Sequence, residues 1–365
     1  MRAKDLITPI LNIDNKQEVF TMKKGNKYGL HRVIEPKGVL PQPAEKIDNS
    51  MEIYDNEILI DVEILNIDSA SFTQIKEEVG ASEEKIKEKM MEIVNKRGKH
   101  HNPVTGSGGM LIGKVAEIGE KLKDRDLKVG DRIATLVSLS LTPLKIEKIK
   151  KVHKDIDQVE VEAQAVLFES GIYAKLPADM KDTLALAVLD VAGAAAQTAK
   201  LVRPGDNVLI IGAGGKSGLL CLHEAKKRAG VTGTVIGMGH SDSSCERIKE
   251  LGAADIIIQG DATQPVETLE KLKEKTGGEL ADIVINNVNI SDTEMASVLT
   301  TKDQGTIYFF SMATSFTKAA LGAEGVGKDV NMIIGNGYTK GHAAISLEIL
   351  RENKKLREIF ERLYT

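Results

Sequence analysis

The run Asn207-Val-Leu-Ile-Ile-Gly-Ala-Gly-Gly-Lys-Ser-Gly218 has the residue types and spacing to hold a diphosphate. An aliphatic stretch, residues 208–211, stops at a glycine cluster, and a helical pattern follows over residues 219–228. In the order strand, turn, helix, Gly212 allows the tight turn, Gly215 lets backbone approach a pyrophosphate, and Gly218 lets the helix close on the strand. The free N–H groups at the helix start then face the phosphates. Gly214 is an extra glycine, and Lys216 and Ser217 complete the turn. A P-loop competes for the same residues, since Gly215-Lys216-Ser217 is the tail of G-x-x-x-x-G-K-[ST]. That loop needs a glycine five residues before Gly215. Ile210 stands there, so the P-loop reading fails. A glycine turn with no ligand is the plain alternative to a dinucleotide site.

A second signal is Asp190, which interrupts the apolar run Leu184-Ala-Leu-Ala-Val-Leu-Asp-Val-Ala-Gly-Ala. An acid there either does chemistry or is satisfied by local backbone. The elements that must position these groups alternate from residue 207 onward. Strands are expected at 234–237, 255–258, 282–285, 305–309 and 330–334, and helices at 243–251 and 265–275. Ser291-Asp-Thr-Glu294 fits a capping box that starts a helix to Leu299. Six short apolar strands with helices between them predict a doubly wound parallel sheet with right-handed crossovers. Asn287, Ser311 and Asn336 follow strands four, five and six. Ligands of such sheets bind there, although each residue also suits a turn.

The first half reads differently. Residues 57–65, 111–118 and 131–136 are strand candidates separated by turns. Between them, residues 82–97 carry Ile86, Met90, Met91 and Val94 at helical spacing, an inserted amphipathic helix whose methionines suit core packing. A C-terminal helix is expected over 342–363, with Ile345, Ile349, Leu356, Phe360 and Leu363 on one face and Lys354-Lys355 solvated. With 365 residues, two domains are expected. The formal charge is −4, from 49 basic and 53 acidic residues, so nucleic acid and anionic membranes are not expected partners. No apolar run is long enough to span a membrane, and the N-terminus lacks the apolar core of a signal peptide. Two isolated cysteines, Cys221 and Cys245, argue for a reducing, cytoplasmic setting.

Three segments resemble the medium-chain dehydrogenase/reductase superfamily. They are Gly113-Lys-Val-Ala-Glu-Ile-Gly119 with Leu127-Lys-Val-Gly-Asp-Arg-Ile133, then Val202-Arg-Pro-Gly-Asp-Asn-Val-Leu-Ile-Ile-Gly212, then Glu250-Leu-Gly-Ala-Ala-Asp255. Within it, Arg97-Gly-Lys-His-His-Asn-Pro-Val-Thr-Gly-Ser-Gly-Gly-Met-Leu111 and Tyr28-Gly-Leu-His-Arg-Val-Ile-Glu-Pro-Lys-Gly-Val-Leu-Pro-Gln42 resemble the L-erythro-3,5-diaminohexanoate dehydrogenase family of lysine fermentation. The resemblance implies an α/β fold with a GroES-like β-barrel-type catalytic and substrate domain over 1–165, with an inserted helix near 82–97. It also implies a Rossmann NAD(P)-binding domain over 166–340 and a C-terminal helix over 341–365 at the domain junction. The implied activity is oxidative deamination of a small diamino acid, and the implied assembly is a homodimer or homotetramer. A zinc-free quinone or enoyl reductase and a non-catalytic NAD(P)-binding protein are the alternatives.

Many members of the superfamily hold a catalytic zinc. Carried onto this chain, the first ligand position falls at about Asp68, and the G-H-E motif falls at Gly108-Gly109-Met110, so no zinc is expected. The resemblance then places Asp68 in the cleft as a carboxylate to pair with an ammonium or take a proton, although Asp68-Ser69 also suits an Asx-turn. With Asp190 it is a candidate catalytic residue. Ser69, His101, Asn102, Thr105 and Ser107 are candidates to line the substrate site, and Arg97, Lys99 and Lys340 are available for the carboxylate. On the cofactor side an acid ending strand two would bind the ribose 2′-hydroxyl of NAD. Gly239 holds that place, followed by His240 and Ser241, with Asp242 expected as a helix N-cap. NAD and NADP both stay open.

Overall fold

A computed structural model describes residues 22–365 apart from Ala81, Met312 and Asn336. The expectation that no signal peptide opens the chain falls on residues outside that description. The chain divides between Gly171 and Ile172, slightly beyond the expected 165.

In the first unit, β1 (Val33–Glu35) and β2 (Lys46–Ile47) form a small antiparallel ladder. The long strand β3 (Glu57–Ile67) leads into α1 (Ser69–Val79) and α2 (Glu83–Arg97). There follow β4 (Gly109–Ile118), β5 (Arg132–Thr135), β6 (Leu144–His153) and β7 (Gln158–Phe168). Within the unit these strands pair antiparallel in the order β6-β7-β3-β4-β5. Ile58, Ile60, Leu65, Leu111, Ile112 and Val115 are all buried in its core. Ile86, Met90 and Val94 bury one side of α2, while Met91 stays partly exposed. The carboxylate of Glu57 anchors the preceding segment. It accepts from Arg32 Nε at 2.8 Å, Arg32 Nη2 at 2.6 Å, His31 Nε2 at 2.8 Å and Tyr54 N at 3.0 Å.

The second unit begins with β8 (Tyr173–Lys175), α3 (Asp182–Leu189) and α4 (Ala192–Leu201). The alternating series is β9 (Asn207–Ile211), α5 (Lys216–Ala229), β10 (Thr234–Gly239), α6 (Asp242–Leu251), β11 (Ile256–Gln259), α7 (Pro265–Thr276), β12 (Ala281–Asn286), α8 (Glu294–Thr300), β13 (Thr301–Phe309), α9 (Phe316–Gly325) and β14 (Asn331–Ile334). All six strands pair parallel, in the order β11-β10-β9-β12-β13-β14. That is the doubly wound Rossmann arrangement, with the order reversing beside β9. Val208 to Ile211 are buried on both faces, as a central parallel strand requires.

Three local expectations are corrected. The capping box at Ser291 does not form: Asp292 takes a left-handed conformation (φ 70°), the helix starts at Glu294, and the Glu294 carboxylate accepts instead from Ser315 N. Asp242 is not the cap of α6; Ser241 is, accepting from Ser244 N. The C-terminal helix is two, α10 (His342–Glu352) and α11 (Lys354–Tyr364), broken at Asn353, whose side chain caps the second. Leu363 stays exposed, and both helices pack on helices of their own unit, α10 on α3 and α4 and α11 on α3, α5 and α6. Among the described residues no single helix is long and apolar enough to cross a membrane. The apolar pair α3 and α4 is bent by 51°.

Candidate functional site

The glycine turn has the geometry that a phosphate cradle requires. Gly212 has φ 77°, a conformation that favours glycine. At Gly218 an added Cβ would lie 2.2 Å from Gly212 O and 2.6 Å from Ala213 Cα, so only glycine lets α5 sit this close to the turn. Gly214 is closed in the same way by Ser244, 2.3 Å away. Gly215 differs, for nothing but Gly212 O at 3.4 Å lies near its missing Cβ. It is the exposed N-cap of α5, and no side chain caps the helix. Unpaired N–H groups beside open space suit a diphosphate. Arg247 on α6 fixes the turn by donating from Nε to Gly214 O at 2.7 Å.

Beside the turn a cavity of about 280 Å³ opens at the carboxyl ends of β9, β10 and β11. Gly212, Gly239, His240, Asp261 and Thr263 line it, and no lysine or arginine does. Asp261 accepts from Thr263 N at 2.9 Å and Thr263 Oγ1 at 2.8 Å, bonds that hold its carboxyl below the usual range. Sequence reasoning missed Asp261, because it follows strand three and not strand two. Asp242 is exposed and accepts from Gln259 Nε2 at 2.8 Å. Ser241 is occupied by its cap, and Ser217 sits partly buried in the first turn of α5. Asn287 Nδ2 is buried without a hydrogen-bond partner, so it is an available donor beyond β12. Ser311 accepts from Ala313 N at 3.1 Å, a turn role. Asn336 lies outside the described residues. Asp190 caps the end of α3 and accepts from Lys216 Nζ at 3.1 Å, which joins two expected site residues.

In the first unit the other candidates gather where β3 ends and β4 begins, since Ile67 pairs with Gly109. Asp68 is exposed and N-caps α1, its Oδ1 accepting from Ala70 N at 3.1 Å, which is the Asx-turn geometry. Ser69 Oγ donates to Asp157 Oδ2 at 2.7 Å. Asn102 is buried, with Oδ1 accepting from Val104 N and Thr105 N and Nδ2 donating to Gln74 Oε1 and Ser71 O. It therefore organises the loop and has no free group to offer a ligand. Ser71, which no motif flagged, has its hydroxyl 2.5 Å from Thr105 Oγ1 and 2.6 Å from Ser107 Oγ. Thr105 is exposed, so this hydroxyl cluster reaches the surface.

The loop's two histidines keep unpartnered ring nitrogens, whereas its lysine is fully engaged. Neither ring nitrogen of buried His100 has a hydrogen-bond partner. Burial pushes His100 down to about 4. His101 is also lowered to about 4, by burial and then by the cations Lys99 and Arg97, and its Nδ1 is unpartnered. Lys99 is not available for a substrate carboxylate: it is buried, with Nζ donating to Pro41 O at 2.6 Å and Gln42 O at 2.8 Å, and burial lowers it to about 7.

At the superfamily's zinc-ligand positions this chain has Asp68, Gly108, Gly109 and Met110. Asp68 Oδ1 accepts from Ala70 N, and Gly108, Gly109 and Met110 bring neither a histidine nor a carboxylate. Among the described residues one group could gather three donors round a metal, His223, Glu224 and Glu352, on α5 and α10. Lys227 already bonds both oxygens of Glu352. A wider depression of about 640 Å³ over β3, β4, β6 and β7 holds none of the expected residues. Its charges are mutually paired, as in Lys114–Glu63 and Lys150–Glu162.

Comparison with known proteins bears on these features. Residues 31–177 match the model of the L-erythro-3,5-diaminohexanoate dehydrogenase N-terminal domain, and residues 218–337 match that of the zinc-binding dehydrogenases. An L-erythro-3,5-diaminohexanoate dehydrogenase of Acetoanaerobium sticklandii is 64% identical over 342 residues, covering 93% of this chain and 99% of the relative. One from Fusobacterium nucleatum is 60% identical, covering 94% and 100%. Among solved structures, a Pseudomonas syringae quinone oxidoreductase matches with TM-score 0.52 at 20% identity, over 86% of each chain. A mycobacterial protein complexed with NADPH matches with TM-score 0.51 at 16% identity, over 87% of this chain and 85% of that one. These two likenesses establish the fold, a GroES-like unit joined to a Rossmann unit.

Proposed function

The chain belongs to the L-erythro-3,5-diaminohexanoate dehydrogenase family, and on that premise we propose that it oxidatively deaminates L-erythro-3,5-diaminohexanoate in lysine fermentation. The products are 5-amino-3-oxohexanoate, ammonia and reduced NAD(P). Identity of 64% over 99% of a relative of that name carries the reading. The cradle at Gly212–Gly218 supports the nicotinamide cofactor.

The cofactor supplies the hydride acceptor for C3. The protein must bind two ammonium groups and a carboxylate, accept a proton, and admit one water. The 3-ammonium loses a proton, hydride loss leaves an iminium, and water adds to its carbon. Collapse expels ammonia and leaves the ketone. An iminium is already electrophilic, so the site can work without a metal, and we assign it none. Asp68 and Asp190 are the carboxylates suited to an ammonium. His101 stays neutral near pH 7 and can accept a hydrogen bond. The Ser71, Thr105 and Ser107 hydroxyls can receive the substrate's polar groups. For the cofactor we favour NAD, because the cavity offers the Asp261 carboxylate and no lysine or arginine to a 2′-phosphate. The strand β14 closes one edge of its sheet with Ile334 exposed, and we assign it to pairing in a homodimer or homotetramer. Both cysteines are free, in keeping with a reducing cytoplasm.

The test is an initial-rate assay of metal-stripped protein with the diamino acid, a quinone and an enoyl thioester, each with NAD(H) and NADP(H). Turnover of the diamino acid with NAD is expected. Turnover of the quinone or enoyl substrate alone would overturn the reading, and activity restored only by zinc would overturn the metal-free site.

A further inference from the structure

The structure joins two groups that the sequence assigned to separate tasks. Lys216 is the first residue of α5, the uncapped helix whose start forms the cradle. Its ammonium donates to Asp190 Oδ2, 3.1 Å away, and the Tyr364 ring centroid is 5.2 Å from Nζ. Both ends of the pair meet solvent, with the Lys216 side chain 30% and the Asp190 side chain 45% exposed. A single exposed contact of this kind is weak and exchangeable. A diphosphate arriving at the α5 N-terminus is a stronger acceptor for the same ammonium, because it carries more charge and the helix end already favours it. Arg247, bonded to the turn at Gly214 O, leaves Lys216 as the flexible cation beside the cradle.

We propose that Asp190 holds Lys216 in reserve: the cofactor diphosphate and the Asp190 carboxylate compete for the Lys216 ammonium, and cofactor binding frees Asp190. Asp190 is then a positioning residue in the empty protein and an available carboxylate once the cofactor is bound. The inference rests on the dehydrogenase reading for its consequence, ordered binding with the cofactor ahead of the diamino acid, because an ammonium substrate finds Asp190 unpaired only after the exchange.

The discriminating measurement is the Kd of NADH, by fluorescence titration of the whole protein without substrate. Competition predicts that Asp190→Asn and Asp190→Ala bind NADH about two- to fivefold more tightly, the span expected from an exposed ion pair. Lys216→Met binds about tenfold more weakly. The double variant matches Lys216→Met, because the aspartate then has nothing to withhold. Weaker or unchanged binding by both Asp190 variants would overturn the proposal, since an aspartate that merely orients Lys216 toward phosphate gives that result. A parent protein that binds no NADH would sink the cofactor reading itself, an outcome separate from either of these.

Discussion

Two glycines three residues apart should fail in opposite ways when changed to alanine. At Gly218 the new methyl would sit 2.2 Å from Gly212 O and 2.6 Å from Ala213 Cα, both backbone atoms of the turn. Neither can swing aside, so α5 must lift from β9. Overpacking of this kind costs about 1–3 kcal/mol, and displacement of the cradle weakens cofactor binding as well. At Gly215 the backbone has φ −85° and ψ 175°, which any residue adopts, and the nearest atom to the methyl is 3.4 Å away. Stability should hold within about 0.5 kcal/mol or rise slightly, because alanine restricts the unfolded chain. The methyl nevertheless occupies the face where the diphosphate meets the backbone. Loss of one charge-assisted hydrogen bond there, worth roughly 1.5–3 kcal/mol, raises the NADH Kd about ten- to a hundredfold. Urea denaturation followed by circular dichroism gives the first quantity, and fluorescence titration gives the second. Parent-like NADH affinity in Gly215→Ala, or parent-like stability in Gly218→Ala, would refute the geometry of the cradle.

Other perturbations reach the first unit. Glu57→Gln takes the nearer, buried carboxylate from the fully buried Arg32 guanidinium and leaves only Asp48 at 3.5 Å, so denaturant unfolding should show a loss of roughly 3 kcal/mol or more. His100 is held neutral, its pKa pushed from 6.5 to about 4, so the unfolded chain binds the extra proton between those values. Stability contributed by the neutral ring is therefore complete above pH 6.5 and lost as pH falls toward 4, by an amount on the order of 3 kcal/mol. His100→Phe should flatten that fall, and parallel curves for parent and variant would count against the assignment. Ser71→Ala removes the centre of the hydroxyl cluster. It should raise KM for the diamino acid about threefold or more, the loss of one hydrogen bond, with the NADH Kd unchanged.

The cofactor half was legible because its constraints are local. The glycines of the turn, the β-branched run of β9 and the spacing of later strands each follow from backbone geometry that a sequence displays. The first unit was less legible. In β6 the buried residues Leu144, Ile146, Ile149 and Val152 do not alternate, because bulges near Ile146/Lys148 and Ile149/Lys151 shift the register. The period of two that marks a strand is thereby erased. The break between α10 and α11 carries neither glycine nor proline, only an asparagine whose side chain accepts from Leu356 N. Ser71 joins the site by folding a helix against a loop more than thirty residues on, a contact that no local pattern encodes. Asp68 was readable in both of its senses, and the structure supplies the capping sense directly.

The central claim is tested most directly by product stoichiometry. Purified, metal-stripped protein would be given L-erythro-3,5-diaminohexanoate and NAD, and NADH, ammonia and the 3-oxo acid would be counted together. The account predicts equal amounts of all three, with each turnover consuming one diamino acid. Absence of NADH formation, or NADH formed without ammonia, would contradict it.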